Sequence, residues 1–228
     1  MDEICQRLEA VRERIRAAER RYARPEGTVT LLAVSKRQPL ARLRRALACG
    51  QHRLGESYVQ EALDKMSALA DEPLEWHLVG PIQANKTRAI AEHFAWVHSV
   101  DRLKIAQRLS DQRPAALGPL QICLQVNVSG EPSKSGVSPD GLAALAMSVR
   151  ELPGLQLRGL MTIPRETADP DEQRAQFASL REAGQALEAQ GIALDTLSMG
   201  MTGDLEAAIA EGATIVRVGT ALFGARSD

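Results

Sequence analysis

The chain lacks an excess of charge of either sign. Its 228 residues include 28 lysines and arginines against 29 aspartates and glutamates, which gives a formal net charge of -1. This balance provides no electrostatic argument for binding nucleic acid or an anionic membrane. We therefore expect neither as a partner.

Cysteine is scarce, and long apolar runs are missing. Cys5, Cys49 and Cys123 are odd in number, widely spaced and without a CxxC pair, so neither a disulfide framework nor a zinc site is indicated. A reducing compartment fits this composition. The N-terminal segment MDEICQRLEAVRERIRAAERRYARPEG is charged where a signal peptide would be apolar, and no window approaches the roughly 18 apolar residues of a spanning helix. We expect a soluble, cytoplasmic protein.

The chain does contain a repeated alternation of short apolar runs and longer amphipathic segments. In the first segment Ile4, Leu8, Val11 and Ile15 recur at helical spacing, which predicts a packing helix. The apolar runs that follow predict eight strands, at residues 29–35, 52–55, 75–80, 95–100, 120–128, 155–163, 194–199 and 214–219. The segments between and after them predict helices that begin near residues 41, 56, 83, 101, 140, 171 and 203.

This alternation favours an α/β fold, a TIM-like closed (β/α)8 barrel with an extra N-terminal helix. No linker or shift in composition marks a second domain, so we expect a single domain over residues 1–228. An open doubly wound sheet is the alternative. The second predicted strand is short and polar.

A lysine ends the first predicted strand, in the stretch TVTLLAVSKRQPL. Because side chains alternate along a strand, Leu32, Val34 and Lys36 share one face. The lysine is either a solvated charge at the rim of the sheet or a nucleophilic amine. In a barrel of this type, functional groups lie where strands end, which is where Lys36 falls.

Glycine and threonine follow the last two predicted strands. In SMGMTGDLEAAI, Gly200 and Gly203 allow tight turns, and Thr202 is a candidate N-cap for the next helix. Gly219 and Thr220 open the turn after the eighth strand. Loops at these two positions often bind phosphate in (β/α)8 barrels, although ordinary capped turns are the alternative.

Arg217 lies among apolar residues of the eighth strand. A guanidinium there must bind something, and a carboxylate would be the simplest partner. In a closed barrel the eighth strand pairs with the first, so Arg217 and Lys36 would lie near the same mouth. An amine, a cation and a phosphate cradle around one cavity suit a phosphorylated aldehyde bound as an imine.

Seven segments in order carry a resemblance that covers essentially the whole chain. It resembles the pyridoxal 5'-phosphate (PLP) homeostasis proteins, single-domain relatives of the alanine racemase barrel. The segments are AVSK (33–36), YVQE (58–61), WHLVGPIQANK (76–86), VNVSGEPSKSG (126–136), GLMTIP (159–164), LSMGMTGD (197–204) and VRVGTALFG (216–224).

The resemblance implies a cofactor and a set of residues that bind it. Lys36 would hold PLP covalently as a Schiff base, and Arg217 would face the pyridine nitrogen. The turns after the last two strands would hold the phosphate. The full set of cofactor-binding residues implied is Lys36, Ser198, Gly200, Met201, Thr202, Arg217, Gly219 and Thr220, and the resemblance implies neither a catalytic residue nor a metal ligand.

Two positions depart from the family pattern. Relatives usually have asparagine where this chain has Ser57, so any contact made there by the amide is absent, and Thr202 stands where serine is commoner. Lys134, and Asn85 with Lys86, match family positions near the mouth. Solvated loop residues are the simpler interpretation of these three.

The predicted function is to carry, buffer or deliver PLP in vitamin B6 homeostasis, without robust catalysis. A racemase needs acid and base groups on both faces of its substrate, and besides Lys36 the candidates are Tyr22, Tyr58 and His77. Packing is the simpler role for all three. The alternatives are a PLP-dependent amino-acid racemase and a Schiff-base aldolase that uses the same lysine without a cofactor. We expect a monomer whose partners include PLP-dependent apo-enzymes.

Overall fold

Eight parallel strands form a closed barrel in a computed structural model that describes residues 2–131 and 134–224. The strands pair in chain order, and the eighth pairs with the first, with Leu32 opposite Arg217. The barrel prediction is therefore confirmed, and the open doubly wound alternative is excluded.

All eight predicted strands are present, including the short polar second one. They are β1 (Thr30–Val34), β2 (Arg53–Glu56), β3 (Glu75–Leu78), β4 (Trp96–Val100), β5 (Leu120–Gln125), β6 (Leu155–Met161), β7 (Thr196–Ser198) and β8 (Ile215–Val218). The helices are α1 (Glu3–Arg21), α2 (Leu40–Ala48), α3 (Val59–Ala68), α4 (Thr87–His93), α5 (Leu103–Gln112), α6 (Pro139–Val149), α7 (Pro170–Glu188), α8 (Leu205–Ala210) and α9 (Thr220–Phe223).

Two helices begin three or more residues later than the sequence predicts. The helix expected from residue 56 begins at Val59, because β2 continues to Glu56, which lies opposite Leu78 of β3. The helix expected from residue 83 opens with a one-turn 3-10 helix, Ala84–Lys86, before α4. In both places the residues between the barrel rim and the helix are more numerous than helical periodicity predicted, so the α-helix is shorter at its start.

The main hydrophobic core lies between the barrel and its surrounding helices. The predicted stripe of α1 is buried there, and α1 packs against α2, α8 and α9. Leu31 and Ala33 of β1 face this outer core, so the alternation of side chains turns Leu32 toward the barrel interior. Leu32 packs there with Val79 and Ile215 in a small separate cluster.

Two features are absent from the part of the chain that the structure describes. None of its helices is long and apolar enough to cross a membrane. Its histidine, cysteine, aspartate and glutamate side chains form no group of three that could hold a metal ion.

Cys5 and Cys49 form a disulfide, so the expectation of a chain without disulfides is wrong. Cys5 lies in α1 and Cys49 directly follows α2, with their Cα atoms 5.5 Å apart. Arg12 of α1 joins the same junction by donating to the carbonyl oxygens of Cys49 and Gly50, at 3.2 and 3.0 Å. The pair is separated by 44 residues, so its proximity depends on helix packing and not on a local motif.

Reduction of this disulfide is expected to lower the thermal stability of the protein. In the chain-entropy description, a closed loop spanning 44 residues stabilises the folded state by up to about 4 kcal/mol. Dithiothreitol should therefore lower the Tm of the wild-type protein. The Tm of Cys49→Ser should be low and insensitive to dithiothreitol, and adding Cys5→Ser should lower it no further. An unchanged wild-type Tm under reducing conditions would contradict the prediction.

Candidate functional site

A cavity of about 360 Å³ opens at the C-terminal ends of the strands. Its volume falls in the range of about 300–1,000 Å³ that is usual for small-molecule sites. The residues that follow β1, β7 and β8 form much of its wall, as expected for a functional site in this fold.

The structure brings most of the predicted cofactor-binding residues together. Those that line the cavity are Lys36, Met201, Thr202, Arg217, Gly219 and Thr220. Ser198 and Gly200 do not line it. Ser198 is completely buried, and Gly200 has φ of 93°, where an added Cβ would lie 2.6 Å from the Cβ of Ala208. Ser198 therefore acts behind the wall, and Gly200 shapes the turn.

Hydrogen bonds fix the backbone on both sides of Lys36. The carbonyl of Ser35 accepts a bond of 2.7 Å from the ammonium of Lys65 on α3. The N–H of Arg37, which has a positive φ of 57°, donates to the carboxylate of Glu61 at 2.5 Å. Because α3 holds both neighbours, the direction in which Lys36 leaves β1 is fixed by the wall of the barrel.

A buried ion pair supports these contacts. Lys65 lies 2.7 Å from Oε1 of both Glu56 and Glu61, and the hydroxyl of Ser35 donates to Oε1 of Glu56 at 2.6 Å. Burial raises the pKa of Glu56, and the contact with Lys65 opposes that rise. Oε2 of Glu56 has no hydrogen-bond partner among the described residues. The charge of the Glu56 carboxylate is therefore compensated mainly by the ammonium of Lys65.

The turns after β7 and β8 present backbone N–H groups. Within the described ranges, the N–H groups of Thr202, Gly203, Gly219 and Thr220 donate to no other group of the chain. The prediction that Thr202 caps the following helix is wrong, because α8 begins at Leu205 and no side chain caps it. The hydroxyl of Thr202 instead accepts a bond of 3.4 Å from Ala221 N–H, which links the two turns.

Arg217 is only 4% exposed and is bound by neutral oxygens. Its Nη1 donates to the carbonyl and hydroxyl oxygens of Ser198, at 2.6 and 2.9 Å, and its Nη2 donates to the carbonyl of Thr162 at 2.8 Å. Burial lowers the pKa of Arg217 to about 10. Within the described residues the guanidinium makes no hydrogen bond to a carboxylate, the simplest partner considered from the sequence.

Two buried histidines lie behind Arg217. Both ring nitrogens of His77 are hydrogen-bonded, which supports the core role that the sequence predicts for it. His98 was missed, although it lies two residues after Trp96 on the inward face of β4. Its Nδ1 lies 2.7 Å from the hydroxyl of Ser198. Burial lowers the pKa of both rings, that of His98 well below its usual value.

The remaining sequence candidates lie away from the cavity wall, with one exception. Ser57, where relatives usually have asparagine, does line the cavity. Lys134 lies 3.2 Å from the carboxylate of Glu131. Tyr58 is 49% exposed and lies under the guanidinium of Arg37. Asn85, Lys86 and Tyr22 do not line the cavity. In the segment 126–136, residues 132–133 lie outside the described residues.

The chain matches the family described as "Alanine racemase, N-terminal domain" over residues 6–227. A protein named pyridoxal phosphate homeostasis protein from Pseudomonas aeruginosa is 62% identical over 226 residues, 99% of this chain and 97% of that one. One with the same name from Escherichia coli is 49% identical over 232 residues, 99% of this chain and 98% of that one.

Among solved structures, PipY from Synechococcus elongatus, described with PLP bound, superposes with a TM-score of 0.86. It is 40% identical, and the match covers 97% of this chain and 100% of that one.

Loss of Lys65 is expected to destabilise the protein strongly. Removing one partner of a buried ion pair lowers the free energy of unfolding by about 3–5 kcal/mol, because the other charge is left uncompensated. Urea denaturation of Lys65→Met should show this loss, and adding Glu56→Gln should restore part of it. Lys104→Met, at an exposed position of α5, is the matched control and should differ little from wild type. Equal stability of Lys65→Met and wild type would refute the prediction.

Acidification is expected to destabilise the folded protein through His98. Its pKa is lower folded than unfolded, where it is about 6.5. The unfolded chain therefore binds a proton that the folded protein excludes as the pH falls below about 6.5. Each such group lowers the free energy of unfolding by up to about 1.4 kcal/mol per pH unit. His98→Gln should reduce this slope in urea titrations between pH 7.5 and 5.5. His52→Gln, at an exposed position, should leave it unchanged, and equal slopes in all three proteins would refute the prediction.

Proposed function

Because this chain belongs to the pyridoxal phosphate homeostasis proteins, within the alanine racemase N-terminal domain family, we propose that it binds PLP and acts in vitamin B6 homeostasis. In this proposal Lys36 holds the cofactor covalently as a Schiff base. The protein buffers or delivers the cofactor and does not turn over a substrate rapidly.

The observation that carries the proposal is the meeting of three kinds of group at one cavity. Lys36 supplies an amine, Arg217 a buried cation, and the turns at residues 202–203 and 219–220 supply backbone N–H groups. Backbone N–H groups of such turns bind phosphate well, and an amine is the group that reacts with an aldehyde. The donor set therefore fits a phosphorylated aldehyde such as PLP, as the homologous PipY with PLP bound also suggests.

Arg217 is the reason for proposing a carrier. When bound, PLP supplies an aldehyde for the amine and a pyridine ring that can accept electrons. A guanidinium is only a hydrogen-bond donor, so beside the pyridine nitrogen it would oppose protonation of that nitrogen. Arg217 is held in place by donating to neutral oxygens. The ring would then assist carbanion chemistry less than it would beside a carboxylate.

The lining of the cavity also favours a carrier over a racemase. Among the described residues of the wall there is no tyrosine, histidine or cysteine to act opposite Lys36. Tyr58 is exposed beside Arg37, and His77 is bound within the barrel. Glu166 and Asp204 are the acidic groups of the wall. The N–H of Met201 donates to the Asp204 carboxylate.

The proposal includes the wider expectations from the sequence. The barrel uses residues throughout the described ranges, which supports a single domain over 1–228. We propose that the protein acts as a monomer in the cytoplasm and exchanges PLP with PLP-dependent apo-enzymes, in keeping with the name of its relatives.

The decisive prediction concerns Lys36. Protein incubated with PLP should absorb visible light as a protonated Schiff base does, and borohydride should fix the cofactor on Lys36, where mass spectrometry of peptides locates it. Lys36→Ala should lose the absorbance and the label. Lys104→Ala, an exposed lysine on α5, should retain both.

Other outcomes separate the alternatives. A label on a different lysine would refute the proposed site. Racemisation of free alanine or serine at ordinary enzyme rates, abolished by Lys36→Ala, would replace the carrier with a racemase. Protein that stays colourless with PLP but cleaves an aldol substrate through Lys36 would replace it with an aldolase.

A further inference from the structure

A continuous line of hydrogen-bonded side chains crosses the barrel from one mouth to the other. It begins at Glu75, the first residue of β3, and reaches His77 two residues later, with Nε2 of the ring 2.9 Å from Oε1 of the carboxylate. Nδ1 of His77 lies 2.9 Å from Nε2 of His98. Nδ1 of His98 lies 2.7 Å from the hydroxyl of Ser198, which accepts from Arg217 at 2.9 Å.

The line passes through the interior of the barrel and not around its wall. His98 belongs to β4 and Ser198 to β7, and these strands are not neighbours in the closed sheet. Their contact must therefore cross the interior. His77, His98 and Ser198 are at most 1% exposed. The interior of such a barrel is usually filled by branched apolar side chains, so a polar line through it calls for an explanation.

The two ends of the line lie in different environments. Arg217 lines the cavity at the C-terminal ends of the strands. Glu75 is 40% exposed and lines two cavities at the opposite mouth, of about 720 and 440 Å³. There it also accepts a bond of 3.1 Å from Arg53. The line thus connects the PLP cavity to a solvent-accessible carboxylate.

The chemistry of the two ends determines the direction of every bond between them. Arginine only donates, and an ionised carboxylate only accepts. Contact with His77 lowers the pKa of Glu75, which keeps it ionised, and burial lowers the pKa of both histidines, which keeps them neutral. A neutral imidazole has one donor and one acceptor nitrogen.

Starting at Glu75, each bond then determines the next. His77 must donate through Nε2, so its Nδ1 accepts from Nε2 of His98. Nδ1 of His98 must then accept from the hydroxyl of Ser198, whose oxygen accepts from Arg217. The opposite tautomers would place a bare ring nitrogen against the Glu75 carboxylate. All the dipoles therefore point one way, an arrangement in which each bond strengthens its neighbours.

Aromatic stacking holds the first ring in this line. Trp96 stacks on His77 with ring centroids 5.6 Å apart and planes 4° apart, and the guanidinium of Arg158 lies over the Trp96 ring, 5.0 Å from its centroid. The ring of His77 therefore has little freedom to turn away from Glu75 or His98.

We propose that Glu75, His77 and His98 are positioning residues for Arg217, and that Glu75 fixes the tautomers of the two imidazoles and, through Ser198, the orientation of the guanidinium. Asp204 at the cavity raises the pKa of Arg217 electrostatically but makes no hydrogen bond to it within the described residues, whereas this line joins the guanidinium to a carboxylate through hydrogen bonds. The orientation of the cation at the PLP cavity then depends on a carboxylate at the other end of the barrel. The ligand part of this inference rests on the proposed function.

The first test uses protein without cofactor and does not depend on PLP. In long-range 15N–1H spectra, His77 and His98 should both carry their proton on Nε2 at pH 7.5, with exposed His52 and His93 as reference signals. Glu75→Gln should produce mixed tautomers in both rings, because the amide can donate as well as accept. It should also broaden the guanidinium signals of Arg217. Glu26→Gln is the matched control, since Glu26 is an exposed carboxylate that lines a cavity at the same mouth and pairs with Arg20 outside the line, and it should leave these signals unchanged.

A proton on Nδ1 of either ring in the wild-type protein, or unchanged tautomers in Glu75→Gln, would overturn the inference. The second test is titration with PLP. Glu75→Gln should weaken binding by about two- to thirtyfold and shift the visible absorption maximum, while Glu26→Gln should do neither. Equal binding by Glu75→Gln and wild type would also overturn it. Failure of the wild-type protein to bind PLP would refute the proposed function, while the tautomer and guanidinium signals would still decide whether Glu75 positions Arg217.

Discussion

The pairing of β8 with β1 is the constraint on which the candidate site depends. It closes the barrel and places Arg217 opposite Leu32, so the face of β1 that ends in Lys36 meets the face of β8 that carries the cation. Parallel pairing also brings all eight strand ends to one rim, where the turns after β7 and β8 lie beside Lys36. An open sheet would leave these groups at opposite edges, where no single ligand would touch both.

Two buried cations are stabilised in different ways. Lys65 lies between the carboxylates of Glu56 and Glu61 on the outer side of the barrel wall, and this direct compensation anchors the backbone around Lys36. Arg217 lies inside the barrel, where neutral oxygens surround it. These bonds use three of the five N–H groups of the guanidinium, so two remain for a ligand. The ion pairs of Lys65 stabilise the backbone around Lys36, and the position of Arg217 presents a cation to the cavity.

The sequence was sufficient for the architecture, which follows from short-range patterns, and the family resemblance implied most of the residues that line the cavity. Apolar runs predicted all eight strands, and the position of Lys36 at a strand end was visible in a stretch of a few residues. What it missed depends on contacts between distant segments. The disulfide joins residues 44 apart, and His98 meets Ser198 across 100 residues and through the barrel interior. Thr202 is a residue type that often caps helices, but in this turn its hydroxyl accepts from the N–H of Ala221 instead.

The bond between His98 and Ser198 has a consequence for the barrel as two halves. His98 belongs to the half formed by β1–β4, and Ser198 and Arg217 belong to the half formed by β5–β8. Either half alone would leave an imidazole, or a hydroxyl and a guanidinium, without its partner in a nonpolar interior. Two copies of the same half would bring together identical groups, which do not complement one another in this way. The polar line therefore favours pairing of the two different halves over pairing of identical ones, a specificity that a purely apolar interior would not supply.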